Sequence, residues 1–220
     1  MLPASLSMAY RIARRAPQPV SCPPMDKTYD QAYFDRWYRR GGIGGQQRLA
    51  RKVALAVATA EYHLERPLRS VLDIGCGEGA WRAPLLKLRP KTHYLGFDSS
   101  VYAIERHGGR RNLHHARFSD FAELRPCAPA DLVVCSDVLH YLQAREIDRG
   151  LPGLAELCGG VAFLETFARE DAAEGDEDGF IGRPGAFYRR RFEAAGFRAL
   201  GSHCWLSPAL APGATALELA

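Results

Sequence analysis

The chain reads as an α/β protein, a doubly wound and mostly parallel sheet with helices on both faces. Three observations carry this. Short apolar runs alternate with helical stretches from about residue 70 onward. Those runs are apolar at consecutive positions, as in Leu132-Val133-Val134-Cys135, which is how a strand covered on both faces reads. One run, Val71-Leu72-Asp73-Ile74-Gly75-Cys76-Gly77-Glu78-Gly79, ends in an acid and then in glycines at every second position.

The elements follow in order. Gln46–Leu64 is a helix, because Leu49, Val53, Ala56, Val57, Ala60 and Leu64 form one stripe at 3, 4 and 7 spacing. Pro67 stops it, and the first strand begins near Ser70. Helix Ala80–Leu88 precedes strand His93–Phe97, and helix Ser100–His107 precedes strand Leu113–Phe118. Strand Leu132–Cys135 precedes helix Ala144–Leu157. Strand Gly160–Glu165 follows, and then helix Pro184–Phe192.

The glycines let the backbone turn tightly and come within contact of a ligand. A dinucleotide site would show G-x-G-x-x-G with a pyrophosphate over the helix N-terminus. Here the pattern is D-x-G-x-G-x-G. Asp73 would repel a pyrophosphate but accepts hydrogen bonds from an ammonium or a hydroxyl. That favours a nucleoside-type ligand with a cationic amino-acid end. The second strand, His93-Tyr94-Leu95-Gly96-Phe97-Asp98, ends in an acid about 20 residues beyond the glycines, where a ribose diol is held. A plainer role for Asp98 is the N-cap of the next helix, which Ser99 or Ser100 could equally supply.

These segments resemble the class I S-adenosylmethionine-dependent methyltransferases. Val71–Gly79 looks like their first motif and Tyr94–Asp98 like their second. Phe118-Ser119-Asp120-Phe121 is similar to the third, which holds the adenine. Asp131–Leu142 resembles the fourth strand and its loop. The resemblance runs from about Leu49 to the C-terminus. It implies a seven-stranded Rossmann-like methyltransferase fold with the last strand antiparallel, Phe197–Trp205 and Ala214–Leu219 pairing as the final hairpin. It also implies S-adenosyl-L-methionine as cofactor, S-adenosyl-L-homocysteine as product, and no metal. Asp73 would help hold the methionine ammonium, with Gly75, Cys76 and Gly77 allowing close approach. Asp98 and Ser99 would take the ribose. Ser119, Asp120 and Phe121 would frame the adenine, and Ser136 would border the reaction centre.

Asp30–Arg40 packs aromatics and arginines into a short helical segment before the glycine loop Gly41–Gly45. It is either an amphipathic helix anchored by Tyr33, Phe34 and Trp37, or a lid. In the resembling family such a segment closes over the cofactor, and aromatic faces attract a sulfonium. Tyr29, Tyr33 and Trp37 are the residues to test. Thr166–Gly185 carries an acidic run that reads as a solvated loop or as a substrate gate. Phe187, Tyr188 and Arg191 are candidate pocket lining. For a general base the candidates just past the fourth strand are Asp137, His140 and Tyr141. His140 has a bracing role as its alternative. No N-P-P-Y pattern occurs; Cys135-Ser136-Asp137-Val138 stands in its place, which speaks against a DNA or glutamine-amide substrate.

Composition bounds the rest. The chain has 220 residues, enough for one domain with a large core. A net charge of +4 is not a nucleic-acid signature, and no apolar run reaches a membrane span. The six cysteines lack C-x-x-C spacing, which argues against zinc and for reduced thiols in the cytoplasm. Residues 1–25 are acid-poor up to Pro24 and rich in proline. They read as a disordered extension, with a transit peptide or a later start at Met8 or Met25 as alternatives. Residues 26–69 form a helical lid or cap, and 70–220 the cofactor-binding catalytic domain. The expected function is methyl transfer to an O or N atom of a small molecule. An RNA substrate is a lesser option. The rival classes are a catalytically silent cofactor-binding module and a nicotinamide or flavin oxidoreductase.

Overall fold

A computed structural model describes residues 29–36, 45–171 and 176–217. Trp37 and most of the glycine loop after it lie outside the described residues, as does residue 174 of the acidic run. The seven strands are β1 Ser70–Ile74, β2 His93–Asp98, β3 Leu113–His115, β4 Ala130–Ser136, β5 Cys158–Glu165, β6 Arg198–Gly201 and β7 Cys204–Leu206. They form one sheet in the order β3-β2-β1-β4-β5-β7-β6. The first five strands are parallel; β7 runs antiparallel to both β5 and β6. The fold class is therefore the one the sequence predicts.

The strand order reverses between β1 and β4. In an open α/β sheet the crevice outside the carboxyl ends at that reversal is where ligands bind. The glycine loop leaves β1 there, and Ser136-Asp137-Val138 leaves β4 there.

Two helix layers cover the sheet. Helices α2 (Gly45–Leu64) and α3 (Arg82–Leu88) pack on one face. Val53, Ala56, Val57 and Ala60 of α2 share a core with Leu132, Val161 and Phe163, so the apolar stripe read from the sequence faces the sheet. Helices α5 (Ala144–Glu156) and α6 (Gly185–Ala194) bury Ile147, Leu151, Leu154, Tyr188 and Phe192 on the other face. On α5, a Cβ at Gly153 would lie 1.7 Å from the Phe121 carbonyl oxygen. Glycine there lets the 3-10 turn Phe118–Ala122 rest directly on the helix. Helix α4 (Val101–Arg111) ends at Asn112, which takes the left-handed conformation with φ 58°. The short helix α1 (Gln31–Phe34) is capped by the Asp30 carboxylate.

The last two strands differ from the expected pair. Both fall within residues 198–206, joined by Ser202 and His203 at φ 50° and 66°. Two central residues with positive φ make the tight primed turn that matches strand twist. Residues 214–217 are non-regular, and no strand occurs there. Pairing ends at Leu206, and a 3-10 turn, Ala211–Gly213, with Pro212 inside it, follows.

Candidate functional site

The site is built where β1, β2 and β4 end. Gly75, Gly77 and Gly79 all take positive φ, at 75°, 53° and 78°. Gly75 has a second constraint: a Cβ on it would stand 2.2 Å from Val138 Cγ2. The glycine loop and the loop after β4 are thus pressed together across the reversal point. The Gly75 and Cys76 amides both donate to the Phe97 carbonyl, at 2.7 and 3.0 Å.

Asp98 completes the loop. Its Oδ2 accepts from the Gly77 amide at 2.7 Å and its Oδ1 from the Ser100 amide at 2.8 Å. Burial raises its carboxyl above the usual range, against the opposing hydrogen bonds from Ser100 and Gly77. Each oxygen keeps a second lone pair for a diol. The N-cap is not Asp98 but Ser100, whose Oγ accepts from the Ala103 amide at 3.1 Å and donates to the Tyr29 carbonyl at 2.7 Å. Ser99 is exposed.

Asp73 lies beneath the loop, 2% exposed, and accepts from the Tyr94 hydroxyl at 2.6 Å. Burial pushes its carboxyl up to about 7, while the Tyr94 hydrogen bond opposes the rise and the charge of Asp98 adds to it. Cys76 offers a ligand only its backbone. Its thiol is buried against Gly96, and a Cβ at Gly96 would stand 2.9 Å from that sulfur.

The expected adenine frame is uneven. Ser119 is half-buried and Asp120 exposed, with an Asp120 carboxylate oxygen accepting from the Arg117 amide at 2.8 Å. The Phe121 ring is fully buried, edge-on to Phe97 at 5.4 Å, so it packs the core beneath the site and offers no open face.

The described part of the expected lid, residues 29–36, docks on the start of α4. Phe34 is buried and stacks on Tyr102 of α4, while Tyr33 sits edge-on to both Tyr29 and Phe34. Burial raises the Tyr29 hydroxyl pKa, and the charges of Asp98, Asp176, Asp137 and Asp178 raise it further. Those four carboxylates therefore lie within electrostatic range of the Tyr29 hydroxyl.

The three candidates after β4 separate into different roles. His140 is 1% exposed. Its Nδ1 accepts from the Phe167 amide at 3.3 Å and lies 3.2 Å from Thr166 Oγ1. That leaves the proton on Nε2, 3.3 Å from Asp137 Oδ1. The imidazole therefore contacts Phe167 and Thr166 after β5 and Asp137 after β4. Asp137 is exposed, at φ 65°. The Tyr141 hydroxyl donates to the Asp176 carbonyl at 2.9 Å, tying the acidic run to the loop.

One group escaped the sequence reading. Glu165, at the tip of β5, is 2% exposed. Its carboxylate accepts from Ser136 Oγ at 2.6 Å and from Lys52 Nζ of α2 at 2.7 Å. Burial works to raise the Glu165 carboxyl, but hydrogen bonds from Lys52 and Ser136 outweigh it and hold it below the usual range. The signal was available: Glu165 is an acid ending an apolar run, as Asp73 and Asp98 do. Lys52, on the polar side of an amphipathic helix, gives no such signal.

A cleft of about 870 Å³ lies on the α6 side, lined among others by Thr166, Tyr188, Arg189, Phe192, His203 and Trp205. It touches none of the glycine-loop residues. Of the expected lining, Tyr188 is present. Phe187 and Arg191 instead stack on each other at 3.6 Å outside it, with Arg191 paired to Asp148. Among the described residues no helix is long and apolar enough to cross a membrane, and no three His, Cys, Asp or Glu gather as metal ligands.

Fold and loop together are similar to those of the class I S-adenosylmethionine-dependent methyltransferases. Residues 72–160 match a family model described as a methyltransferase domain. Over those residues the chain is similar to this family. It is 29% identical over 154 residues to trans-aconitate 2-methyltransferase of Azoarcus sp. (strain BH72). That match covers 68% of this chain and 58% of the relative, so the chain spans under two thirds of the relative's length. A SAM-dependent methyltransferase from Archaeoglobus fulgidus shares the fold at a TM-score of 0.58 and 16% identity, over 76% of this chain and 73% of that one. Magnesium protoporphyrin IX methyltransferase from Synechocystis PCC 6803, solved with S-adenosylhomocysteine bound, does so at 0.52 and 23%, over 77% and 86%.

Proposed function

We propose that the chain binds S-adenosylmethionine in the crevice between the β1 and β4 tips and transfers its methyl group to an O or N atom of a small molecule. The observation that carries this is Asp98, whose two oxygens join the glycine loop to the start of α4, each with a lone pair left for a diol. Gly75 and Gly77 bring backbone within contact distance, and Asp73 below them, its carboxyl raised to about 7 by burial, would ionise against a bound ammonium. When bound, the cofactor supplies a sulfonium methyl that is already electrophilic.

The residues therefore have mainly to orient a nucleophile and exclude water. Tyr29, Tyr33 and Trp37 would serve as the lid over the cofactor, with Asp176 and Asp178 of the acidic run on the Tyr29 side. Asp137, exposed and steadied by His140, is the one candidate past β4 whose carboxylate can reach solvent and take a proton. The methyl acceptor enters from the α6 side. The small organic acid named in the Azoarcus relative supports a small-molecule acceptor. Buried free thiols at Cys76, Cys135, Cys158 and Cys204 support a reducing, cytoplasmic setting.

The test is transfer of a labelled methyl group from S-adenosylmethionine into fractionated cell extract. Label in the small-molecule fraction is the expected result. Label confined to RNA or protein would overturn the acceptor class. Cofactor binding with label in no fraction would favour a silent binding module.

A further inference from the structure

Lys52, Glu165 and Ser136 join three elements that the proposed chemistry does not otherwise connect. Lys52 is on α2, the helix that follows the lid segment. Glu165 and Ser136 are register partners at the tips of β5 and β4. Lys52 Nζ reaches both carboxylate oxygens, at 2.5 and 2.7 Å. Ser136 gives its only hydroxyl proton to the same carboxylate at 2.6 Å. The Glu165 carbonyl also accepts from the Asp137 amide at 2.9 Å. Main chain and side chain of one residue therefore fix the point where the chain turns off β4. The next residue is Val138, which sits against Gly75.

A buried ion pair is weak evidence of stabilisation, because desolvation offsets most of the attraction and an apolar replacement is often as stable. Its better-supported use is to fix one arrangement among several. Here the arrangement fixed is the path from α2 to the crevice wall.

We propose that Glu165 is a positioning residue for cofactor binding, and that the Lys52–Glu165–Ser136 latch sets the β4 loop against the glycine loop. This rests on the cofactor reading above. The latch orients the crevice wall without touching the ligand itself. With it broken, Val138 no longer holds Gly75 in the bound geometry, and affinity falls even in a well-folded protein.

The test is calorimetric titration of S-adenosylhomocysteine, with thermal unfolding in parallel. The variants are Lys52→Met, Glu165→Gln, their double, and Ser136→Ala. Lys52→Met leaves an unpaired buried carboxylate, so it lowers both the unfolding temperature and the affinity. The double variant removes both charges and returns the unfolding temperature toward wild type. Its affinity stays about tenfold or more weaker, since charge-assisted bonds to the loop are gone. Ser136→Ala folds as wild type and binds several-fold more weakly. Arg66→Met breaks the bidentate pair with Asp131 at the other end of β4, and serves as the control. It lowers the unfolding temperature and leaves affinity unchanged. A double variant that binds within about twofold of wild type would reduce the latch to a purely structural role and overturn the proposal. A folded wild type that does not bind overturns the cofactor reading instead, so the two failures are separable.

Discussion

Asp98 Oδ2 lies 2.7 Å from the Gly77 amide nitrogen, so the acid that would hold a ribose also holds the loop that would carry the rest of the cofactor. The loop shape is therefore preset rather than formed on binding, and part of the ordering entropy is met by the fold.

The Gly75–Val138 contact gives a prediction that separates strain from clash. Gly75→Ala meets both positive φ and a contact of 2.2 Å. Gly201→Ala meets positive φ alone, at 92°, with nothing within 4 Å. Each costs roughly 1 kcal/mol or more in stability. Only Gly75→Ala abolishes S-adenosylhomocysteine binding by calorimetry. Equal effects on binding would show that the two loops do not need close contact.

Asp73 predicts a pH dependence. Its carboxyl is raised from an ordinary 3.8 to about 7 by burial, so the folded state keeps its proton more tightly than the unfolded state. The stability this provides is complete below about pH 4 and is lost as pH rises through 7. Asp73→Asn should therefore stabilise the ligand-free protein at pH 8 by on the order of 2–4 kcal/mol, with little change at pH 4. The Asn carbonyl still accepts from Tyr94. Denaturant titrations at the two pH values measure this, and a stabilisation equal at both would contradict it.

His140 is predicted to matter for stability rather than for proton transfer. His140→Ala leaves the Phe167 amide without its acceptor and empties a packed site between Phe167 and Phe180. A loss of about 2–4 kcal/mol follows. His140→Asn recovers part of it. Labelled-methyl transfer by the Asn variant should keep the wild-type pH profile. Loss of one limb of that profile would restore the imidazole as a base.

Ser100 both caps α4 and holds the Tyr29 carbonyl. Ser100→Ala should cost about 1 kcal/mol in stability. It should also speed proteolytic cleavage near residue 29, an effect that ligand suppresses less than in wild type. Cleavage rates indifferent to the substitution would separate the lid from α4.

Much of this was legible in the sequence. Strand interiors buried on both faces carry an unbroken apolar signal, so β1, β2, β4 and β5 fall where Val71, Tyr94, Leu132 and Val161 place them. The acids Asp73 and Asp98 stand at the carboxyl ends of β1 and β2, where the apolar runs stop. What periodicity could not show was side-chain direction. Cys76 and Phe121 lie in site motifs but turn into the core, a choice made by the packing of Gly96 and Phe97. His140 reads as a base by position, and its contact with the Phe167 amide is formed only on folding. The final hairpin was misplaced because its turn, Ser202-His203, lacks the glycine or asparagine that announces two positive-φ residues. The Lys52–Glu165 pair spans 113 residues, beyond any local pattern.

The most direct measurement is calorimetric titration of S-adenosylhomocysteine into wild type and Asp98→Ala. The substitution removes charge-assisted bonds to the ribose and releases the Gly77 amide. Wild type should bind, with Asp98→Ala weaker by roughly 1.5–3 kcal/mol. A folded wild type that does not bind, or an Asp98→Ala variant that binds equally well, would contradict the cofactor site described for this fold.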